Sequence, residues 1–238
     1  MLLLNLAISN RLSLFTKEAI EIAKSDNADN AKEDEALRRG DYGRFLALTN
    51  KPKPAAIEIQ QAQHDLSELG LTIESALQWG NAGLAYAALN QHEKALEQYN
   101  IALPELETTP HSAMIRANRA DSYLALSKYD EAQADYDAAL TTARETNNLI
   151  VVVQALIGLA RLHLESGTLE NAEHCLNEAE SIIRRANLRR LQAHLLTVHS
   201  RLYIAQGDKT KAQSVWDEAT KLRSILRMPN ITSDWLFL

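Results

Sequence analysis

Five alanines, Ala55, Ala95, Ala132, Ala172 and Ala212, stand 40, 37, 40 and 40 residues apart. Each opens a triplet at offsets of four and then three: Ala55/Ile59/Ala62, Ala95/Tyr99/Ala102, Ala132/Tyr136/Ala139, Ala172/Leu176/Ala179 and Ala212/Trp216/Ala219. Those offsets put every triplet on one face of an α-helix. A helix repeated at this interval cannot bury its apolar face alone, so the period predicts a solenoid of helical hairpins in which each unit covers the next. With only 8 Gly and 5 Pro in 238 residues, and 46% hydrophobic side chains, helix is favoured almost throughout. No sustained alternating run competes for strand.

A second landmark lies upstream in each unit, a small residue followed one turn later by a larger one: Gly43/Leu46, Gly83/Tyr86, Ala120/Tyr123, Ala160/His163 and Ser200/Tyr203. The small residues let two helices approach, and the larger ones are expected to fill the space between the arms. Between the two landmarks stand Asn50, Asn90, Ser127, Gly167 and Gly207, on the same ladder of spacings. Gly and Asn tolerate the left-handed conformation that ends a helix, so these positions are expected to be the hairpin turns.

Trp79, Ala82, Gly83 and Tyr86, followed by Ala95 and Tyr99, resemble the tetratricopeptide repeat, whose pattern runs Trp-x2-Leu-Gly-x2-Tyr and then Ala-x3-Phe. The next unit, Asn118-Arg119-Ala120-x2-Tyr123 and Tyr129-Asp130-Glu131-Ala132-x3-Tyr136, resembles it too. The likeness covers residues 36–224 as five hairpins. It implies an all-α, right-handed superhelical solenoid of antiparallel helical hairpins. The unit here is mostly 40 residues against about 34 in the family, similar to the longer repeats of eukaryotic adaptor proteins and bacterial signalling regulators. The family's closing proline is mostly missing, although Pro110 closes one unit. The first unit matches least, since Lys51-Pro52-Lys53-Pro54 replaces the usual turn and Leu46 stands where an aromatic is common.

Four segments follow. Residues 1–24 repeat the marker offsets at Phe15/Ala19/Ile22, and are either a capping helix or the second arm of a hairpin whose first arm is missing. Residues 25–35 form a polar connector, residues 36–224 the hairpins, and residues 225–238 a tail stopped from helix at Pro229. The apolar Trp235, Leu236, Phe237 and Leu238 are expected to cover the last open face, with docking into another copy or a partner as the alternative. The opening MLLLNLAISN does not read as a signal peptide, because no Lys or Arg precedes its apolar run and Asn5 interrupts it. No stretch reaches the roughly 18–20 apolar residues that span a bilayer. Together with the single cysteine, Cys175, this makes the cytoplasm the expected compartment.

Catalysis would need a nucleophile with its base, a carboxylate pair or a metal cluster, and no such arrangement stands out. No two of the seven histidines have the i, i+4 spacing of a helical zinc site, so neither metal nor cofactor is expected. Gly40-x2-Gly43 and Gly80-x2-Gly83 lie 40 residues apart and are repeat echoes, not a phosphate loop. The net charge of −6 gives no field for nucleic acid or anionic membrane as a whole. It hides an acidic middle, 7 Lys+Arg against 14 Asp+Glu in residues 51–150, and a basic end, 10 against 4 in residues 181–238. Arg184-Arg185 and Arg189-Arg190 flank an inter-hairpin turn without aromatics to stack on bases, so nucleic acid is not the expected partner.

The resemblance implies that the first helix of each hairpin lines a concave groove. Carried onto this chain, the groove residues are Asn81, Leu84, Asn118, Asp121, Gln154, Arg161, His194 and Arg201. Asp121, Arg161 and Arg201 recur at 40-residue intervals, which places them side by side about 10 Å apart on adjacent inner helices. Arg161 and Arg201 suit the carboxylates of an acidic segment, unless Asp121 or Glu165 satisfies Arg161 internally. Asn81 and Asn118 suit a peptide backbone. The matching lysines of the chaperone-tail-binding members are absent. The expected function is a non-enzymatic protein-interaction scaffold. The alternatives are a regulatory or sensor segment of a multidomain signalling or transcription-regulating protein, or a module that self-associates through its terminal helices or tail.

Overall fold

A computed structural model describes residues 31–48, 51–226 and 228. Among the described residues there are ten α-helices and no strand: α1 (Ala31–Leu48), α2 (Pro52–Glu68), α3 (Thr72–Ala87), α4 (His92–Leu106), α5 (His111–Ala125), α6 (Tyr129–Glu145), α7 (Leu149–Glu165), α8 (Leu169–Ala186), α9 (Arg189–Ala205) and α10 (Lys209–Ile225). The chain divides into two compact units, Met1–Leu126 and Ser127–Leu238. In the first, each of α1 to α5 packs on the next, and the first arms α1, α3 and α5 also touch in order. In the second, α6 to α10 pack in the same succession, and α7 touches α9.

The marker ladder is the core. All five marker alanines are buried, as are the alanines seven residues on and Ile59, Tyr99, Tyr136 and Leu176 between them. The marker N–H also closes the first turn of each second arm, donating to the carbonyls of Lys51, Gln91, Lys128, Thr168 and Asp208 at 3.0–3.1 Å. Small partners make room for the large ones. A Cβ on Gly83 would overlap the Tyr99 ring, one on Gly158 the Tyr136 ring, and one on Gly43 would come within 2.5 Å of Ile59 Cγ1. The larger residues of the second landmark sit differently from expectation. Leu46 is buried, but Tyr86, Tyr123, His163 and Tyr203 are only half-buried, because the marker row already fills the space between the arms.

Asn90, Ser127, Gly167 and Gly207 all have positive φ, from 56 to 83°, as expected for Asn and Gly and adopted at Ser127 by its place in the repeat. Gly70, Asn147 and Asn187 form a second left-handed ladder between hairpins. The carbonyls of Leu46, Leu66, Tyr86, Ala143, His163, Ile183 and Tyr203 each accept from the N–H five residues later at 2.8–3.1 Å, the bond that closes a left-handed helix end. The α4–α5 connection departs from this pattern and belongs to the one unit of 37. There Thr109 donates from Oγ1 to the Leu106 carbonyl and Ser112 from Oγ to the Thr109 carbonyl, both at 2.8 Å, and Pro110 is the residue before α5.

α1 already runs from Ala31, inside the segment expected to be a polar connector. Its strong helix formers Ala31, Lys32 and Glu33, with Glu33 and Asp34 on the positive end of the helix dipole, explain this. Residues 1–30, Asn50 and the tail from Pro229 onward lie outside the described residues.

Candidate functional site

In the second unit, the expected groove residues lie on two packed first arms. Gln154 and Arg161 are on α7, His194 and Arg201 on α9. Gln154 and His194 are exposed, and Arg161 is half-buried. Arg201 is shielded, with 15% of its side chain exposed, and donates from Nη2 to Glu165 Oε1 of α7 at 2.7 Å. Glu165 was an expected partner of Arg161. It accepts from Arg201 across the two helices, so that Arg161, Glu165 and Arg201 alternate in charge on this pair of arms. Buried hydroxyls brace α9 behind it, Thr197 Oγ1 donating to the Ala193 carbonyl at 2.8 Å and Ser200 Oγ to the Thr197 carbonyl at 2.7 Å.

In the first unit, Leu84 of α3 and Asn118 of α5 are half-buried and Asp121 of α5 is exposed. Asn81 is different, with 8% exposure. Its Nδ2 donates to Gln78 Oε1 at 3.0 Å, and Gln78 lies where a Cβ on Gly40 would be. The absence of a side chain at Gly40 lets α3 press Gln78 against α1 and draws Asn81 into that contact. Asn81 is therefore held in the packing between first arms. Burial, and then the charge of Asp121, push the Tyr99 phenol far above its usual range, so it stays protonated.

Two clefts occupy equivalent places in the repeat, offset by 117 residues. One, of about 210 Å³, is lined by Gly70, Leu71, Ser75, Trp79, Ile101 and Glu105. The other, of about 300 Å³, carries Asn187, Leu188, Gln192, Leu196 and Glu218 at the matching positions or one residue from them, with Arg184 and His199. The first mixes apolar side chains with hydroxyls and the single carboxylate of Glu105, and the second carries several charged groups. Arg184, Arg185, Arg189 and Arg190 are all exposed beside the second cleft. Arg184 pairs with Glu180 at 3.0 Å, and Arg185 donates to the Ser181 carbonyl at 3.4 Å.

Among the described residues, burial shifts two histidines and the cysteine. Burial holds His199 and His163 below the usual histidine value, against the opposing pull of Glu180 and Glu173 on the first and Asp137 on the second. Burial also pushes the Cys175 thiol up, which suppresses thiolate and agrees with a packing role. Among the described residues no group of three or more His, Cys, Asp or Glu could hold a metal ion, and no helix is long and apolar enough to cross a membrane. Sequence reasoning missed a repeated clamp: Lys94 lies over the Tyr86 ring at 5.8 Å and Lys211 over the Tyr203 ring at 5.5 Å, the same offset of eight in two hairpins.

Residues 111–185, which span α5 to α8, match the family model described as tetratricopeptide repeat. No curated protein matches the chain in sequence. Among solved structures, BtubC (BKLC) from P. vanneervenii is similar at 18% identity and a TM-score of 0.68, over 94% of this chain and 95% of that one. The apo form of RapI is similar at 12% identity and 0.72, over 92% and 78%. Aspartyl phosphate phosphatase F from Bacillus subtilis is similar at 14% identity and 0.65, over 91% of this chain and 55% of that one. Residues 111–185 are thus similar to the tetratricopeptide repeat, and the all-α hairpin fold in which they stand is that of these solved structures.

Proposed function

We propose that this chain is a non-enzymatic scaffold that holds an acidic peptide or protein segment on its first arms, with Arg161 and Arg201 taking carboxylates. The observation that carries the reading is the Arg201–Glu165 pair at 2.7 Å, because it shows a carboxylate already seated on this face between α7 and α9. A guanidinium fork receives a ligand carboxylate in the same geometry, and Glu165 is only partly shielded, with 33% of its side chain exposed. Gln154 and His194 add exposed hydrogen-bonding groups on the same two helices. The fold supports the reading, since repeated helical hairpins present their first arms side by side, and a reducing, cytoplasmic setting fits the single cysteine.

Titration of a fluorescein-labelled Glu-rich peptide, followed by anisotropy, tests it. Arg161→Glu with Arg201→Glu should weaken binding at least about tenfold, the loss of two charge-assisted contacts. Glu165→Gln should tighten it, by removing the internal competitor. Unchanged affinity in a double variant with native helical content would remove the assignment.

A second reading rests on the likeness to aspartyl phosphate phosphatase F, of which this chain covers 55%. It makes the chain a regulatory segment of a signalling protein. Reading the coding sequence on both sides of this chain tests that, with an in-frame effector domain supporting it and unrelated flanking genes counting against it.

A further inference from the structure

The cleft of about 210 Å³ in the first unit is built from the end of α2, the turn that follows it, α3 and α4. None of Asn81, Leu84, Asn118 and Asp121 lines it, so it is a different surface from the expected groove. Its wall carries an unmet hydrogen-bonding group. Five serines and threonines are buried among the described residues. Ser112, Ser122, Thr197 and Ser200 donate to a carbonyl three or four residues back, at 2.7–3.5 Å, which is how a helical hydroxyl is often satisfied. Ser75 is only 8% exposed, lines the cleft, and makes no side-chain hydrogen bond among the described residues. A hydroxyl placed in this way costs free energy unless a group in the cleft meets it.

The other lining groups define the chemistry. Trp79 is half-buried, and Ile101 leaves 47% of its surface to water. Glu105 is the one charged residue lining the cleft. It is exposed and makes no ion pair among the described residues, whereas Glu107 is held by Arg116 at 2.6 Å. The surroundings are acidic too, with 5 Lys+Arg against 9 Asp+Glu in residues 51–126. An aromatic ring, an aliphatic wall and a carboxylate together suit a cation carried on an apolar stem. The volume is below the roughly 300–1,000 Å³ of sites for drug-sized ligands and suits a single long side chain. Guanidinium matches the set better than ammonium. It is planar and stacks on an aromatic ring, and its fork offers N–H groups to a carboxylate and a hydroxyl at once. The repeat does not dictate this set, because Gln192, Leu196, Glu218 and Leu222 stand 117 residues after Ser75, Trp79, Ile101 and Glu105.

We propose that this cleft receives one arginine side chain of a partner protein segment, its stem against Trp79 and Ile101 and its guanidinium on Glu105 and Ser75. Filling the cleft in this way covers the exposed part of Ile101, gives the Ser75 hydroxyl a partner and pairs the Glu105 carboxylate. The cleft belongs to the compact unit that does not contain Arg161 and Arg201, so it stands or falls apart from the acidic-segment reading.

The test uses the full chain and follows the Trp79 indole N–H resonance by NMR during titration with a capped Ala-Ala-Arg-Ala-Ala peptide. That peptide should shift the resonance saturably at millimolar concentration. The same peptide with citrulline at its centre, which keeps the shape and loses the charge, should bind at least about tenfold more weakly. Glu105→Gln, at an exposed position, should erase the gap between the two peptides. Ser75→Ala should weaken the arginine peptide without lowering the thermal midpoint, since the hydroxyl bonds nothing in the free chain. Equal binding of the two peptides, a gap that survives Glu105→Gln, or no saturable shift would overturn the proposal. So would tighter binding of free arginine than of the capped peptide, because the occupant would then be a small molecule and not a side chain of a partner.

Discussion

Tyr99 in α4 and Trp216 in α10 hold the same place in the repeat, yet the tyrosine is fully buried and the tryptophan partly exposed. Both follow their marker alanine by four residues and both are aromatic. What differs is the neighbour. Tyr99 is pressed onto Gly83 of its own hairpin and covered again by the helices that follow, including α5 with Ile115, which belongs to the same buried cluster. Trp216 belongs to the last described hairpin. The same sequence position therefore differs in energetic weight along the chain, as expected where stability is a sum of nearest-neighbour contacts.

Truncation should expose that difference most strongly. Tyr99→Ala is expected to lose about 3–5 kcal/mol in urea denaturation, the usual loss for a buried aromatic, and Trp216→Ala well under half as much. Equal losses would break the comparison. Gly83→Val comes next, at about 1–3 kcal/mol, because the added atoms meet the Tyr99 ring. The equivalent small residue of the last hairpin, Ser200, already carries a Cβ and should tolerate Ala with a smaller loss.

Helix ends sharpen the picture at lower energy. Asn148 caps α7 by accepting from the Val151 N–H at 3.3 Å, and Asn148→Ala should lose about 1 kcal/mol. The smallest effect is on pH dependence. The native pKa of His199 lies below the unfolded value of 6.5, so the unfolded chain binds the proton first as pH falls. Its contribution to stability is therefore complete above that value and is lost on acidification through it. His199→Phe, which preserves the stack on Tyr203, should flatten part of the stability slope between pH 7 and 5.

The marker ladder and the hairpin turns were legible in the sequence because both depend on local chemistry that repeats: alanine where helices touch, and, at every described turn but Ser127, Gly or Asn where φ is positive. The second ladder of Gly70, Asn147 and Asn187 carries the same residue types and could have been found in the same way. Contacts between first arms were not legible. The burial of Asn81 depends on Gln78 entering the space left by Gly40, 38 residues earlier, and the pairing of Arg201 with Glu165 joins residues 36 apart, off the repeat period. Position in the repeat fixes which helices are neighbours. Which long side chain reaches which partner depends on rotamers that the period does not encode.

The candidate site has a built-in rival, since both Arg161 with Arg201 and the exposed group Arg184, Arg185, Arg189 and Arg190 could attract an acidic segment. Arginine Nε–H resonances followed by NMR during titration with a Glu-rich peptide would separate them. The account predicts saturable shifts of Arg161 and Arg201 at peptide concentrations that leave the other four unmoved. Shifts confined to those four would contradict it.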